Sequence, residues 1–567
     1  MPKIDVYGDL FFNLLKEEYD NDALVKILSC AKAELDEYNK SDNILKVELN
    51  DTNRPDLWST IGLARQILLY SNKINIPSYN FFSTKDNFKN YSDRVIKVDN
   101  ELLNIRPFIA AFCIKGKPIN KYFLNDLIQT QEKLSWNYGR KRKSIGVGIY
   151  KSNDIKFPVN YKAVNPDSYK FIPLGMDKEL TLTEIIKQHP KGIEFANLIS
   201  NFAKYPLLID NTDNILSLPP IINSNNIGNV NEGDTELFIE LTGTDYYLLV
   251  LASSVFACNF HDMGYEILPV KIEYDYETLL GKEIVFPYHT QDTISVELSY
   301  INKLLGENFN ISEVQNYLNK MGLKCNIINN NSIIVEQPPY RNDFMHPVDI
   351  VEDVMIGYGV ANFTPEMPKQ FTIGKLTEST EFSRKIKDIL VGLGYQEMVY
   401  CYLGSKKEYI ENMCIPLNEL IKIQNPMTEN YEYVRNSILP GLLKSESVSG
   451  NTSYPHSIFE IGKIVSIDNA DDSGSKTYNY LGFSYVGDDS NFNKIKSHVS
   501  VLFNYLSKEY SIEKHEDVRY INGRCAKIIY NGNTVGHFGE LHPQVITNWG
   551  ISKPIAACEI SIDMIIK

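Results

Sequence analysis

The alternation of apolar and polar residues predicts a chain of short helices and strands. A helical pattern covers Asp22 to Tyr38, and the apolar run Ile44 to Leu49 has the length of a strand. Helical spacing returns within Asn53 to Ile67, where Asp56 is a candidate helix cap. These patterns predict a small α/β unit over residues 1–85. The stretch Asn53 to Ile67, considered alone, is best explained as a plain turn and a capped helix.

A larger α/β region is predicted over residues 86–272. Near its end, the run Leu237 to Asp245 reads as a strand that enters a Thr-Gly-Thr turn, in which Gly243 would let the backbone approach a ligand closely. The neighbouring hydroxyls and Asn223 offer neutral hydrogen-bonding groups. Because no serine or cysteine nucleophile stands with a plausible histidine base, a hydrolase here would have to position a water molecule.

A basic run interrupts this region immediately before an alternating strand. Its members are Arg140, Lys141, Arg142 and Lys143, the strongest local concentration of positive charge in the chain. Such runs are ordinarily solvated turns. The functional alternative is an electrostatic hold on phosphate groups.

A third unit is predicted over residues 273–367 and ends in the stretch Pro338 to Phe363. Pro347 can open a helix there, because proline is tolerated at the first helical position. Val348, Val351 and Met355 would share one face of that helix. We therefore expect a small helical and strand domain that carries a partly acidic helix.

Acidic residues gather around that helix, next to Arg341 and His346. They are Asp343, Asp349, Glu352 and Asp353. Considered alone, they are most simply explained as a solvated acidic face. The alternative is a site for a hard cation such as magnesium, which takes one or two carboxylates and keeps several waters.

The last unit, residues 368–567, begins with helical spacing from Phe382 to Leu393 and a stop at Gly394. Strand-like runs follow, the first of them over residues 398–403, and Asn531-Gly532 is a typical hairpin turn. One long helix with an antiparallel sheet predicts an α+β domain. The whole chain is therefore predicted to be a multidomain α+β protein.

Composition and charge narrow the class of protein. An apolar content of 43% and a charged content of 23% are ordinary for a soluble globular chain, and a net charge of -14 argues against a nucleic-acid coat. Eight cysteines stand singly, which fits a reducing cytosol better than a zinc or disulfide framework. The longest apolar run, Tyr246 to Phe260, is too short for a membrane helix. We expect a cytoplasmic protein without a membrane partner.

Several motifs, taken in order, resemble one family. They are NRPDLWSTIGLARQI, YGRKRKSIGVGIY, PPIIN with ELTGTDYY, PPYRNDFMHPVDIVEDVMIGYG, VRNSILPGLL, FEIGK and GHFGELHP. Together they resemble the phenylalanine–tRNA ligase β subunit, in its shorter archaeal and eukaryotic-cytosolic form. The resemblance covers essentially the whole chain.

The resemblance implies an α₂β₂ tetramer that uses ATP to attach phenylalanine to tRNA(Phe), with the synthetic site on the α subunit. It makes residues 86–272 an editing domain that hydrolyses tyrosyl-tRNA(Phe), residues 273–367 a B5-type domain, and residues 368–567 a class II synthetase-like core. FEIGK offers Glu460 and no arginine, and no arginine follows Gly536, so we expect this core to be catalytically inactive.

The resemblance also assigns site residues. The editing pocket would contain Leu208, Ser217, Asn223, Glu240 and Thr242, with Glu240 where the family leads us to expect aspartate. Arg140, Lys141, Arg142 and Lys143 become candidate tRNA contacts. Asp343, Asp349, Glu352 and Asp353 become ligands of a magnesium ion shared with the α subunit.

Two other functions remain compatible with the sequence. One is a free-standing tRNA-binding or trans-editing protein with no synthetase partner, for which a partner-binding carboxy-terminal core would be superfluous. The other is a tRNA-binding scaffold whose editing pocket has decayed.

Overall fold

A computed structural model describes residues 2–417, 420–450 and 452–566 of the chain. It divides into two compact units, Met1–Glu366 and Met367–Lys567. None of the helices in the described ranges is long and apolar enough to cross a membrane. The apolar run that begins at Tyr246 is instead a buried helix within the first unit.

The first unit opens with a small antiparallel sheet in the order β1-β3-β2. Its elements are β1 (Lys3–Tyr7), α1 (Gly8–Leu15), α2 (Asn21–Leu28), β2 (Ala33–Asn39), β3 (Ile44–Leu49) and α3 (Thr60–Tyr70). The prediction of one helix from Asp22 to Tyr38 was wrong, because Lys32 adopts a left-handed conformation and the chain then enters β2. Ser59 caps α3, whereas Asp56 is buried in a bidentate pair with Arg54.

A mixed sheet follows, in the order β12-β11-β10-β7-β4-β14-β5-β13-β6, with β15 paired to β14. Its strands are β4 (Val95–Val98), β5 (Phe108–Lys115), β6 (Ile145–Lys151), β7 (Val159–Val164), β10 (Tyr205–Ile209), β11 (Ile215–Leu218), β12 (Ile222–Asn223), β13 (Glu236–Gly243), β14 (Glu266–Tyr274) and β15 (Glu283–Phe286). A separate ribbon pairs β8 (Lys170–Phe171) with β9 (Leu180–Thr181). The helices are α4 (Lys121–Lys133), α5 (Leu182–Gln188), α6 (Pro190–Phe195) and α7 (Tyr246–Asp262).

The rest of the first unit pairs a small sheet, β16-β18-β17, with helices. Its elements are β16 (Thr293–Glu297), α8 (Leu298–Leu305), α9 (Ile311–Lys320), β17 (Lys324–Asn329), β18 (Ser332–Glu336) and α10 (Pro347–Tyr358). Pro347 does open α10, as predicted. Its buried face differs from the prediction, because Val348 is exposed and Asp353 lies in the buried stripe with Ile350 and Val354.

The second unit is built on an antiparallel sheet with one parallel edge strand, in the order β19-β23-β24-β28-β27-β26-β25. Its elements are α11 (Glu378–Gly392), β19 (Gln396–Glu397), β20 (Leu403–Gly404), β21 (Ile421–Lys422), β22 (Tyr433–Val434), α12 (Leu439–Val448), β23 (His456–Ile467), β24 (Ser475–Val486), α13 (Phe492–Tyr505), β25 (Ser511–Lys514), β26 (Tyr520–Tyr530), β27 (Asn533–Leu541), α14 (Pro543–Asn548), β28 (Ile555–Ser561) and α15 (Ile562–Ile566). The strand expected over residues 398–403 does not form, apart from its last residue in β20.

Candidate functional site

A cavity of about 140 Å³ lies between strand β13 and the turn that joins β11 to β12. Ser217, Asn223, Glu240 and Thr242 line it, four of the five residues that the family resemblance assigns to an editing pocket. Strand geometry explains the grouping, since Glu240 and Thr242 are two residues apart on β13 and share a face. The register also sets Ser217 opposite Asn223. Leu208 lies behind the cavity, buried opposite Ser217 on β10.

Glu240 is the buried carboxyl group of this cavity. The Tyr150 hydroxyl donates a hydrogen bond of 2.8 Å to Oε1, whereas the buried Oε2 has no hydrogen-bond partner among the described residues. Gly148 stands opposite Glu240 in the register, and a side chain there would crowd the carboxylate and the Tyr150 hydroxyl. Burial raises the pKa of Glu240 to about 7, against the opposing effects of Tyr150 and Arg106.

Arg106 fixes the hydroxyl side of the cavity. Its Nε donates to Thr242 Oγ1 at 2.9 Å, and its Nη2 donates to the Thr242 carbonyl oxygen at 2.5 Å. Thr242 Oγ1 thus accepts a hydrogen bond from arginine within the cavity lining. Asn223 donates to the Ile149 carbonyl oxygen at 3.3 Å. Sequence reasoning did not identify Arg106 as a site residue, because no motif contains it and only the following proline marks its position.

The basic run divides into two roles. Arg140, Lys141 and Lys143 are exposed. Arg142 instead lines the cavity, and its Nη1 donates to the carbonyl oxygens of Pro220 and Ile221 at 3.0 and 2.8 Å. Arg142 therefore holds the turn that closes the cavity, and the other three side chains lie at the surface.

The acidic stretch forms ion pairs and caps within the chain. Arg341 Nη2 contacts Asp343 at 2.6 Å and Asp353 at 2.9 Å. Burial opposes the charge of Asp343, but Arg341 outweighs it and lowers the pKa of Asp343 to about 2. Glu352 lies 2.6 Å from Lys32, and Asp349 Oδ2 accepts the backbone N–H groups of residues 345 and 346 at 2.7 Å.

These carboxylates line one small cavity without forming a donor set of their own. Within the described ranges, no group of three or more histidine, cysteine, aspartate or glutamate side chains could hold a metal ion. Asp343 and Asp353 are buried against Arg341, whereas the Glu352 side chain is 50% exposed. The fit to magnesium is therefore incomplete in this chain, and only Asp349 and Glu352 remain accessible enough to serve a partner's ion.

In the second unit, the face of the sheet opposite α11 and α13 is filled by the chain itself. Glu460 forms a bidentate pair with Arg435 at 2.9 and 3.0 Å, and both side chains are 2% exposed. Glu559 accepts hydrogen bonds from the Ser437 hydroxyl and the Ile438 N–H. Segment 435–439 thus lies against this face of the sheet.

Comparisons with known proteins agree over the full length. A family model described as the phenylalanyl tRNA synthetase beta chain CLM domain matches residues 364–562, and the tRNA synthetase B5 domain matches residues 294–360. The phenylalanine–tRNA ligase beta subunit of Borrelia hermsii (strain HS1 / DAH) is 47% identical over 100% of both chains. That of Borreliella burgdorferi (strain ZS7) is 48% identical over 99% of both.

A solved structure is also similar to part of the chain. It is an N-terminal fragment of the phenylalanyl-tRNA synthetase beta subunit from Pyrococcus horikoshii, 35% identical, with a TM-score of 0.59. The match covers 63% of this chain and 100% of the fragment. The chain therefore belongs to the family of phenylalanine–tRNA ligase beta subunits and is a component of that aminoacyl-tRNA synthetase.

Proposed function

We propose that the cavity around Glu240 hydrolyses tyrosyl-tRNA(Phe) and so removes tyrosine attached in error. The observation that carries this proposal is the buried, unpaired Oε2 of Glu240. Leaving a buried acceptor unpaired costs about 1–3 kcal/mol, which a phenolic hydroxyl would recover and a phenylalanine ring would not. A site built to bind that hydroxyl can sort two amino acids that an apolar pocket barely distinguishes.

The cavity's depth sets the orientation of the substrate. A tRNA cannot enter so small a space, so the ester lies at the mouth and the tyrosyl ring points toward the buried Glu240. Asn223, which is only half-buried, and the Thr242 hydroxyl are then available to the ester or to a water molecule. Water adds to the ester carbonyl, the bond to the ribose oxygen breaks, and free tyrosine and uncharged tRNA leave.

Hydrolysis of labelled tyrosyl-tRNA(Phe) by the full chain tests this proposal. We expect Asn223→Ala to slow hydrolysis about tenfold or more, because a group that positions the ester or water is lost. Asn226→Ala, an exposed residue outside the cavity lining, is the matched control. Glu240→Ala should bring the rate on tyrosyl-tRNA close to the rate on phenylalanyl-tRNA. Absence of hydrolysis by the wild-type chain would overturn the proposal.

We further propose that the chain acts in the cytoplasm within an α₂β₂ tetramer, whose α subunit attaches phenylalanine to tRNA(Phe) with ATP. The filled sheet face at Arg435 and Glu460 supports an inactive class II-like core over residues 368–567. The proposal also includes an editing region over residues 86–272 and a B5-type region over residues 273–367. ATP–pyrophosphate exchange should require added α subunit. Exchange by this chain alone would refute the proposal that the synthetic site lies on the α subunit.

The shorter archaeal and eukaryotic-cytosolic type of subunit is also part of the proposal. It rests on the motif resemblance and on the 35% identity to the Pyrococcus horikoshii fragment, whereas the full-length relatives come from Borrelia and Borreliella. Co-expression with an α chain of that type should yield a complex that charges tRNA(Phe). Failure to assemble with that α chain, combined with assembly with a bacterial α chain, would contradict the assignment.

The shared magnesium site stays a prediction, now in a narrower form. Asp349 and Glu352 would supply its oxygen ligands from this chain, and the partner would supply the rest, which suits an ion that needs few protein carboxylates. We expect Asp349→Ala with Glu352→Ala to weaken magnesium-dependent assembly with the α subunit while leaving hydrolysis intact. An assembly insensitive to EDTA would refute the site.

A further inference from the structure

Trp136 is an exposed tryptophan beside the cavity. The chain has three tryptophans, and Trp58 and Trp549 are 2% and 8% exposed, whereas Trp136 is 45% exposed. Exposing so large an aromatic surface to water is unfavourable. Burying it would gain about 25 cal/mol for each Å² of apolar area removed from water. A large aromatic ring left in solvent marks a surface that meets a partner.

Basic side chains surround this ring and lead from it into the cavity. Lys141 Nζ lies 5.2 Å from the centre of the Trp136 ring, and Phe195 packs edge-on against Trp136 with centroids 6.3 Å apart. On Phe195 rest the Arg142 guanidinium, at 4.5 Å, and Lys191 Nζ, at 5.6 Å. Arg142 and Lys191 both line the cavity of Glu240. Ring, cations and cavity therefore form one continuous surface.

The turn that carries Lys141 and Arg142 is fixed in an unusual conformation. Arg140, Lys141 and Arg142 have φ values of 50°, 55° and 65°, a left-handed run that costs roughly 1–2 kcal/mol for each residue. Backbone hydrogen bonds of 2.8 Å from Lys141 to Trp136 and from Arg142 to Ser135 hold it against the preceding helical turn. Strain of this kind persists where the surroundings enforce it, and it is concentrated at functional sites.

We propose that Trp136 stacks a base of the single-stranded 3′ end of tRNA while Lys141 and Lys191 neutralise its phosphates, so that the terminal ester reaches the cavity. This inference rests on the proposed editing function. Aromatic rings interleaved with cations are how proteins hold single-stranded nucleic acid without reading its sequence. Local positive charge in a chain of net charge -14 favours a polyanion at this place over the rest of the surface.

Steady-state hydrolysis of tyrosyl-tRNA(Phe) by the full chain tests the platform. We expect Trp136→Ala to raise KM about tenfold with kcat unchanged, because stacking is lost equally from the bound substrate and the transition state. Trp136→Phe should keep most of the affinity. Phe88→Ala, a similarly exposed aromatic residue at 43%, is the matched control and should leave KM unchanged. A wild-type KM in Trp136→Ala would overturn the inference.

A second measurement does not depend on hydrolysis. A single-stranded RNA hexamer ending in CCA should quench the tryptophan fluorescence of the wild-type chain but not that of Trp136→Phe, which retains the two buried tryptophans. Equal quenching in both would refute stacking on Trp136. If the wild-type chain is quenched but does not hydrolyse tyrosyl-tRNA, the editing proposal fails and the RNA platform stands.

Discussion

Glu240→Gln is expected to remove a pH-dependent loss of stability. The side chain is 3% exposed, and burial raises the pKa of its carboxyl group from 4.5 to about 7. Between these two values, the folded chain holds a proton that the unfolded chain has released. Folding is therefore favoured at low pH, and the stability of the wild-type chain falls as the pH rises through this window.

The size of the effect follows from the shift in pKa. A rise from 4.5 to about 7 corresponds to about 3 kcal/mol of lost stability once both states are ionised, of which about 2 kcal/mol falls between pH 5 and pH 8. Glutamine cannot ionise. The free energy of unfolding of Glu240→Gln, relative to that of the wild type, should therefore rise by about 2 kcal/mol from pH 5 to pH 8.

Urea unfolding followed by circular dichroism at pH 5 and pH 8 measures this difference. Glu132→Gln, at an exposed position on α4, controls for the loss of one carboxylate at the surface. Only the pH dependence of the difference matters, because glutamine also alters the hydrogen bond with Tyr150 at every pH. If the difference in free energy of unfolding between variant and wild type is the same at both pH values, the raised pKa of Glu240 is refuted.

Further substitutions test the packing that surrounds the sites. Arg341→Ala leaves two buried carboxylates without their shared cation and should lower the free energy of unfolding by about 3–5 kcal/mol, measured in urea. Gly62→Ala would drive a methyl group into the Asp56 carbonyl oxygen and should cost about 1–3 kcal/mol, seen as a lower Tm. Burial opposes ionisation of Glu559, but His537 and Arg519 outweigh it and lower the pKa of Glu559 to about 2. The stabilisation from ionised Glu559 is lost as the pH falls from 4.5 toward 2. The free energy of unfolding of Glu559→Gln, measured in urea, should therefore depend less on pH in that range than that of the wild type.

Local patterns predicted the elements that are specified by residues adjacent in the sequence. Ile44 to Leu49 is a strand with the bounds expected, and Gly394 follows the helix it was expected to stop. Asn531-Gly532 forms the hairpin turn, with both residues at positive φ. The helix predicted from Asp22 to Tyr38 failed because periodicity could not register that one left-handed residue, Lys32, redirects the chain into a strand.

The site was predictable only where the family resemblance supplied the residues. It supplied Glu240 and its neighbours on the strands, but not Arg106 or Tyr150, which reach the cavity through strand pairing and hydrogen bonds. The acidic helix shows the same limit. Spacing placed Asp353 with the solvated acids, whereas the pairing of Asp353 with Arg341 buries it in the apolar stripe of α10. A charge's partner, distant in sequence, decides whether that charge is buried.

Two glycines show which groups come close to the backbone where a Cβ is absent. Gly243 was expected to let the backbone approach a ligand, and a side chain there would collide with the Ser144 carbonyl oxygen, directly before β6. At Gly462, on β23 of the second unit, the Arg435 guanidinium occupies the space that a side chain would need. Each glycine does mark a close approach, as the absence of Cβ requires. What approaches is the chain's own backbone at Gly243 and an internal ion pair at Gly462, so the group that fills the space beside a glycine is decided by residues distant in sequence.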